Sequence, residues 1–256
     1  PLIDAQGVRW SQVIHLSLFV TTGIGFMSLA IMDFRNNRDE YGLLLFAWTI
    51  GIFTFGAFVN WTVNARSFLP LAPVAGIVLV GRLDVLSEKT ERNSRSSSPG
   101  IHLLPWILMI LAALSVAWGD LKLANTAREA AQDIAVRYGG DERTLWFQGH
   151  WGFQYYMQEA GAKAWDMRRS IIKPDEFIVI PSNNTNVYKM NNHRIRFVER
   201  ISLVPSSWIA TMSHALGAGF YWDAKGPLPF AIGTVPPEEY CVFVSESLAH
   251  EGAKKK

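Results

Sequence analysis

Three long stretches without a charged side chain constrain this sequence more than any other feature. They cover residues 11–32, 41–59 and 101–119, and none of them contains Asp, Glu, Lys or Arg. A helix of about 20 mostly apolar residues is long enough to cross the hydrocarbon core of a membrane. The alternative is that these stretches are core helices of a soluble protein, but such helices rarely have uncharged runs of this length. The sequence therefore predicts that the first half of the chain lies in a membrane.

A fourth apolar stretch is shorter, covers residues 67–81 and contains Pro70 and Pro73. Both prolines fall near its start, where a helix loses backbone donors at little cost. We therefore predict an α-helical transmembrane region of about four spans in residues 1–119. Residues 120–256 are expected to form a separate soluble domain.

The basic residues of the short loops predict the orientation of these spans. The loops 33–40 and 82–100 together hold six Lys or Arg residues, whereas the opposite side has only Arg9 and Arg66. Basic residues are enriched in cytoplasmic loops. We therefore expect a multi-pass protein of the inner (cytoplasmic) membrane whose C-terminal domain is extracytoplasmic.

The second half of the chain has the patterns of short strands and helices. Residues 120–138 have apolar residues at helical spacing, so this helix is expected to continue the last span until Gly139 and Gly140 end it. A further helix is predicted at 151–160, and strands are predicted at 144–148, 176–180, 194–204 and 241–245. This order predicts a small α/β domain. Residues 208–237 remain unassigned.

Composition argues against several kinds of site. A formal net charge of +2 without basic clusters gives no footprint for nucleic acid. Cys241 is the only cysteine, and no pair of the six histidines has metal-ligand spacing. We predict no metal site and assign no catalytic residue in this chain.

The segment 149–156, GHWGFQYY, is one candidate ligand or interaction segment. It places His150, Trp151 and Tyr155 at a predicted strand-to-helix junction, where backbone N–H groups are free and ligands often bind. The alternative is structural: the aromatic side chains pack the helix on the sheet, and His150 caps it.

Arg66 is the second candidate, because it stands at the predicted outer interface at the start of the proline-containing span. A guanidinium there is suited to bind a phosphate or pyrophosphate bidentately, including one on a lipid. The alternative is that Arg66 only anchors the helix by extending to the interface.

The residues around Arg66 resemble those of a known family. Residues 66–73, RSFLPLAP, resemble the Arg-aromatic-Leu-Leu-Pro-x-x-Pro segment late in the membrane region of GT-C glycosyltransferases. The branch concerned contains the protein O-mannosyltransferases and the lipid A aminoarabinose transferases. Ser67 stands where the aromatic residue is usual and Phe68 where a leucine is. The strand at 145–148 and the helix with FQYYM are similar to that branch's extracytoplasmic domain, so the resemblance covers roughly residues 10–180.

This resemblance implies a cell-envelope enzyme that transfers a sugar from a polyprenyl-phosphate donor to a lipid or protein acceptor. In that family an acidic catalytic residue, often metal-assisted, lies in the first extracytoplasmic loop, and Asp4 is not assigned to that role. We therefore expect this chain to lack the general base and to be inactive alone. No cofactor is expected in it, and a divalent metal is expected only in the full-length enzyme. Arg66 is carried over as a contact for the donor phosphate.

A non-enzymatic interpretation remains open beside this one. In it the chain is a membrane-anchored extracytoplasmic binding or assembly domain, and the segment 149–156 faces a partner or a glycan.

Overall fold

The computed structural model describes residues 3–4, 7–93, 104–140, 143–166, 168–185, 187–188 and 195–246. The chain divides into two compact units. The first contains Pro1–Trp118 and Trp208–Thr234, and the second contains Gly119–Ser207 and Val235–Lys256. The segment Trp208–Thr234, which the sequence analysis grouped with the soluble half, thus belongs to the compact unit of the apolar helices.

Five α-helices are described: α1 Trp10–Asn37, α2 Glu40–Thr54, α3 Leu71–Asn93, α4 Leu104–Tyr138 and α5 Trp151–Glu159. Among the described residues, three helical stretches are long and apolar enough to cross a membrane, namely Trp10–Asn36, Glu40–Val59 and Leu104–Tyr138. These confirm the three long predicted helices, apart from residues 101–103, which lie outside the described part. The second stretch ends in a π-helical turn, Phe55–Val59, after α2.

The predicted helix at 67–81 differs from the observed one. A 3-10 turn at Ala65–Phe68 precedes α3, which begins at Leu71 after Pro70. The apolar part of α3 ends before Arg82, so it is only about 16 Å long at 1.5 Å per residue. That is about half of the hydrocarbon thickness of ~30 Å. Helix α3 is therefore not among the three helices that meet the length and composition of a full span.

Helices α1, α2 and α3 pack around a small apolar core of Leu45, Val74 and Val78. The turn between α1 and α2 is defined locally. Arg38 adopts the left-handed conformation that ends α1, and the Asp39 carboxylate accepts a hydrogen bond from the Gly42 backbone to cap α2. This tight turn makes α1 and α2 antiparallel neighbours.

The strands among the described residues of the first unit are all two residues long. They are β1 Ile3–Asp4, β2 Gly7–Val8, β7 Ile209–Ala210, β8 Met212–Ser213, β9 Ala218–Gly219 and β10 Ala231–Ile232. They pair as β1 with β2, β7 with β10, and β8 with β9, all antiparallel. The last four give structure to the stretch that the sequence analysis left unassigned.

The second unit is built on one mixed five-stranded sheet. Its strands are β3 Leu145–Phe147, β4 Lys163–Ala164, β5 Phe177–Pro181, β6 Ile195–Leu203 and β11 Glu238–Ser245. Their order is β4-β3-β5-β11-β6, in which β3 is parallel to both β4 and β5 while β11 is antiparallel to β5 and β6. The four predicted strands and the α/β arrangement are confirmed.

Helices α4 and α5 cover this sheet through small and aromatic side chains. The core combines Ala130 and Ile134 of α4 with Phe153 and Met157 of α5, all at most 1% exposed. The predicted continuation of the last span is confirmed, because α4 runs without interruption to Tyr138. The position of Phe153 fixes α5 on the sheet and so positions the loop before it.

Candidate functional site

Arg66 lies in a turn that is held by side-chain hydrogen bonds. The turn Ala65–Phe68 is capped by Asn64, which is only 4% exposed. The Oδ1 atom of Asn64 accepts hydrogen bonds from the Ser67 backbone N–H at 3.0 Å and from the Ser67 hydroxyl at 2.9 Å. Asn60 donates to the same hydroxyl oxygen at 2.8 Å. These bonds fix the backbone that carries Arg66.

The turn also contacts the segment Trp208–Thr234 of the same unit. The Ala65 backbone N–H donates to the Phe220 carbonyl at 2.9 Å, and the Thr62 hydroxyl donates to the Asp223 carboxylate at 3.0 Å. Thr62 is 8% exposed although it carries a hydroxyl. A buried polar group is stable when it is hydrogen-bonded, so these two bonds account for a polar loop being packed here.

On its other side the turn lies against α2. The Trp48 indole N–H donates to the Pro70 carbonyl at 3.1 Å, and the Phe68 ring lies over Gly56. Trp48 is eight residues into α2, about 12 Å along its axis. The chain from Asn60 to Pro70 therefore runs back beside α2 before α3 begins. Non-helical backbone at membrane depth is tolerated where other protein segments cover it.

The Arg66 side chain is exposed, and within the described part of the chain no hydrogen bond or ion pair of its guanidinium occurs. Trp61, in the same loop, is 88% exposed. A guanidinium held on a fixed turn can donate two parallel hydrogen bonds to a phosphate, and an exposed indole suits the region of lipid headgroups. The structure thus places Arg66 where an anionic ligand can reach it.

The second predicted segment, 149–156, is divided by the helix that it forms. Phe153 packs in the core and Tyr156 at its edge, whereas Trp151 and Tyr155 are 53% and 61% exposed. The interpretation that all four aromatic residues pack on the sheet is therefore wrong for Trp151 and Tyr155. His150 occupies the N-cap position, but its side chain makes no capping hydrogen bond, so the proposed capping role is also wrong.

His150 instead lines an open cleft of about 730 Å³ in the second unit, with Gln148 and Trp165 among its other lining residues. Trp151 and Tyr155 do not line it, so the structure separates His150 from the two residues that were grouped with it. Gln148 was missed by the sequence analysis. Its only signal is a polar side chain directly after an apolar strand.

Neither metal ligands nor known relatives add to this description. Among the described residues, no group of three His, Cys, Asp or Glu side chains is placed to hold a metal ion. No protein-family model, no curated protein and no solved structure matches this chain.

Proposed function

We propose that this chain is the C-terminal portion of a polyprenyl-phosphate-dependent membrane glycosyltransferase, and that Arg66 contacts the phosphate of the lipid-linked donor. The observation that carries the proposal is the fixed turn around Asn64, which presents an exposed guanidinium beside an apolar helix. A cation at this position offsets negative charge on the departing lipid phosphate. The acceptor is a lipid or a protein.

The proposal includes an orientation in which the Arg66 turn and the C-terminal domain face away from the cytoplasm. Three contacts within the first unit support it. Arg9 donates to the Ala215 carbonyl, and the Ala65 N–H donates to Phe220, so the segment Trp208–Thr234 lies on the side that has few basic residues. Asp33 of α1 and Arg82 of α3 form an ion pair. That pair lies toward the end with many basic residues, which we propose is cytoplasmic.

The fourth span is proposed in a modified form. Helix α3 crosses about half of the hydrocarbon core, and the folded-back loop 60–70 occupies the outer half beside α2. Such a broken span brings a helix N-terminus and polar loop residues into the membrane. An anionic headgroup is favoured at that position by the positive end of the helix dipole.

A binding experiment tests the role of Arg66 without requiring turnover. The chain is reconstituted in nanodiscs of neutral lipid and titrated with undecaprenyl phosphate, with tryptophan fluorescence as the readout. Loss of a charge-assisted hydrogen bond is expected to weaken binding by roughly tenfold to a hundredfold in Arg66→Ala. Arg66→Lys should retain part of the affinity, because the charge stays while the bidentate geometry is lost.

The matched control is Arg35→Ala, which removes an exposed guanidinium at the C-terminal end of α1, on the proposed cytoplasmic side. This variant should bind undecaprenyl phosphate as the wild type does. Undecaprenol, which lacks the phosphate, should not compete. If Arg66→Ala binds undecaprenyl phosphate as tightly as the wild type, Arg66 is not a phosphate contact.

A membrane-anchored binding domain is the second proposal. It is favoured by the exposed Trp151 and Tyr155 on one side of α5, since aromatic side chains on a surface are enriched at interfaces with partners. Pull-down of an envelope component that depends on Trp151 and Tyr155, but not on Arg66, would favour this second function.

A further inference from the structure

The cleft of the second unit lies at one edge of its sheet. Strands β4, β3 and β5 are parallel, and their carboxyl ends meet at the same edge. Gln148 directly follows β3 and His150 comes two residues later, and Trp165 and Asp166 directly follow β4. All four line the cleft. In α/β sheets, ligands bind preferentially in the crevice outside the carboxyl ends of parallel strands.

Gln148 supplies a hydrogen-bond donor that lacks an acceptor. Its side chain is 4% exposed, and its Oε1 atom accepts a hydrogen bond from the Tyr188 backbone N–H at 2.7 Å. This bond fixes which end of the amide is oxygen, because a backbone N–H needs an acceptor. The Nε2 atom then has no hydrogen-bond partner among the described residues. Few buried donors are left unpaired in native proteins, so this nitrogen indicates a missing oxygen atom.

The loop beside Gln148 contains two residues with positive φ angles. Gly149 has a φ of 101°, and Trp151, the first residue of α5, has a φ of 60°. The His150 ring is joined through Nδ1 to the Gln154 Oε1 atom at 2.9 Å. Its backbone N–H donates to the Asn184 Oδ1 atom at 2.8 Å. These two hydrogen bonds hold His150 in the wall of the cleft.

The remaining lining residues limit the class of ligand. Trp165 and Tyr188 provide aromatic surface, Asp166 provides a carboxylate acceptor, and Arg168 provides a guanidinium donor. The Asp166 carboxylate accepts a hydrogen bond from the Arg168 backbone N–H at 2.8 Å, and its negative charge in the cleft lining disfavours a phosphate. Donors, an acceptor and aromatic faces together match a neutral polyhydroxylated ring, whose hydroxyl groups both donate and accept and whose C–H faces pack on aromatic rings.

We infer that this cleft binds a neutral glycosyl unit, with one sugar oxygen accepting a hydrogen bond from Gln148 Nε2 and the ring packing against Trp165. The inference does not rest on the function proposed for Arg66, because the two sites lie in different units. Gln148 Nε2 is screened from solvent, so the sugar reaches it by displacing part of the cleft rim.

The test uses the full chain in nanodiscs, because the maltose headgroup of common detergents is itself a probe for the cleft. Methyl α-mannoside, methyl β-glucoside and cellobiose are titrated separately, with saturation-transfer NMR and tryptophan fluorescence as readouts. Saturable binding of at least one of them is expected. Both Trp165→Ala and Gln148→Met should weaken it by about tenfold or more, as loss of a central contact does.

Lys163→Ala is the matched control. Lys163 lies two residues before Trp165 in sequence but is exposed and does not line the cleft, so its removal should change the affinity by less than about twofold. Thermal unfolding of each variant separates loss of binding from loss of fold, and Arg168→Ala replaces any variant that does not fold. The inference is overturned if no sugar saturates, if inorganic phosphate binds in their place, or if folded cleft variants bind as the wild type does.

Discussion

The Thr62 hydroxyl donates a hydrogen bond to the Asp223 carboxylate at 3.0 Å, although 161 residues separate them in the chain. This bond joins the loop that carries Arg66 to the segment Trp208–Thr234, which returns to the apolar helices from the second unit. The position of Arg66 therefore depends on residues in the C-terminal part of the sequence.

Removing the Thr62 hydroxyl should loosen this connection. We expect Thr62→Val, which keeps the side-chain shape, to lower the stability of the first unit by about 1 kcal/mol, a typical net value for one hydrogen bond. Thermal unfolding in nanodiscs measures the change. In a double-mutant cycle with Asp223→Ala the two effects should be less than additive, whereas full additivity would mean that the two side chains do not interact.

A methyl group at Gly56 should displace the turn that carries Arg66. A Cβ atom there would lie 2.8 Å from the Phe68 ring, whereas one at Gly51 would meet no atom within 4 Å. We expect Gly56→Ala to be less stable than Gly51→Ala by ~1–2 kcal/mol, because overpacking outweighs the gain in helix propensity. Thermal unfolding of both variants tests this. Adding Phe68→Leu to Gly56→Ala should recover part of the lost stability. Equal stabilities of Gly56→Ala and Gly51→Ala would contradict the predicted clash.

Gly149 should be less replaceable than Gly161. Both have positive φ angles, 101° and 83°, but only at Gly149 would a Cβ atom approach other atoms closely, at 2.8 Å from Pro181 and 3.2 Å from Asn184. Gly161→Ala should cost about 1 kcal/mol from backbone strain alone. Gly149→Ala should cost roughly 1–3 kcal/mol more. Near-ultraviolet circular dichroism follows the unfolding of the second unit in each variant. The difference in stability between Gly149→Ala and Gly161→Ala then measures the cost of the steric clash.

The Tyr240 phenol should remain protonated at a pH where an exposed tyrosine ionises. Burial, together with the nearby Glu238 carboxylate, raises the pKa of Tyr240. Because the folded state binds the proton more tightly than the unfolded state, this stabilisation is present below the usual pKa of about 10 and is lost as pH rises above it. Spectrophotometric titration of the wild type and of Tyr240→Phe should show that the variant has lost one of the late-ionising phenols. An alkaline stability profile unchanged by Tyr240→Phe would contradict the assignment.

The orientation predicts opposite labelling of two exposed positions. In a Cys241→Ser background, Lys163→Cys should react with an impermeant maleimide in intact spheroplasts. Asn36→Cys, near the C-terminal end of α1 and on the proposed cytoplasmic side, should react only after permeabilisation. The reverse result would place the C-terminal domain in the cytoplasm.

Sequence patterns predicted the elements whose formation depends on local periodicity. The apolar runs predicted α1, α2 and α4, because uncharged stretches of this length are typical of membrane helices. The alternation of residues 194–204 predicted β6, because alternation is typical of a half-exposed strand. The segment Trp208–Thr234 could not be predicted, because its two-residue strands are stabilised by partners such as Thr62 that are distant in sequence. The start of α3 at Leu71 was missed because an apolar loop and an apolar helix have the same composition.

The aromatic residues of α5 divide into two faces by helical spacing. Phe153 and Met157 are four residues apart and face the core, whereas Trp151 and Tyr155, also four apart, face outward. Helical spacing alone separates these two pairs. Gln148 could not be found in this way, because its unpaired amide is evident only once the positions of Tyr188 and the sheet are known.

The central position of β11 sets an order of folding. It lies between β5 and β6 and bonds to both, yet it is the last of the described strands to leave the ribosome. Until then two neighbouring strands have unpaired backbone groups, which are prone to associate with other chains. Synthesis that stops before Glu238 should therefore yield a nascent domain that needs chaperone protection, even if the apolar helices have already inserted.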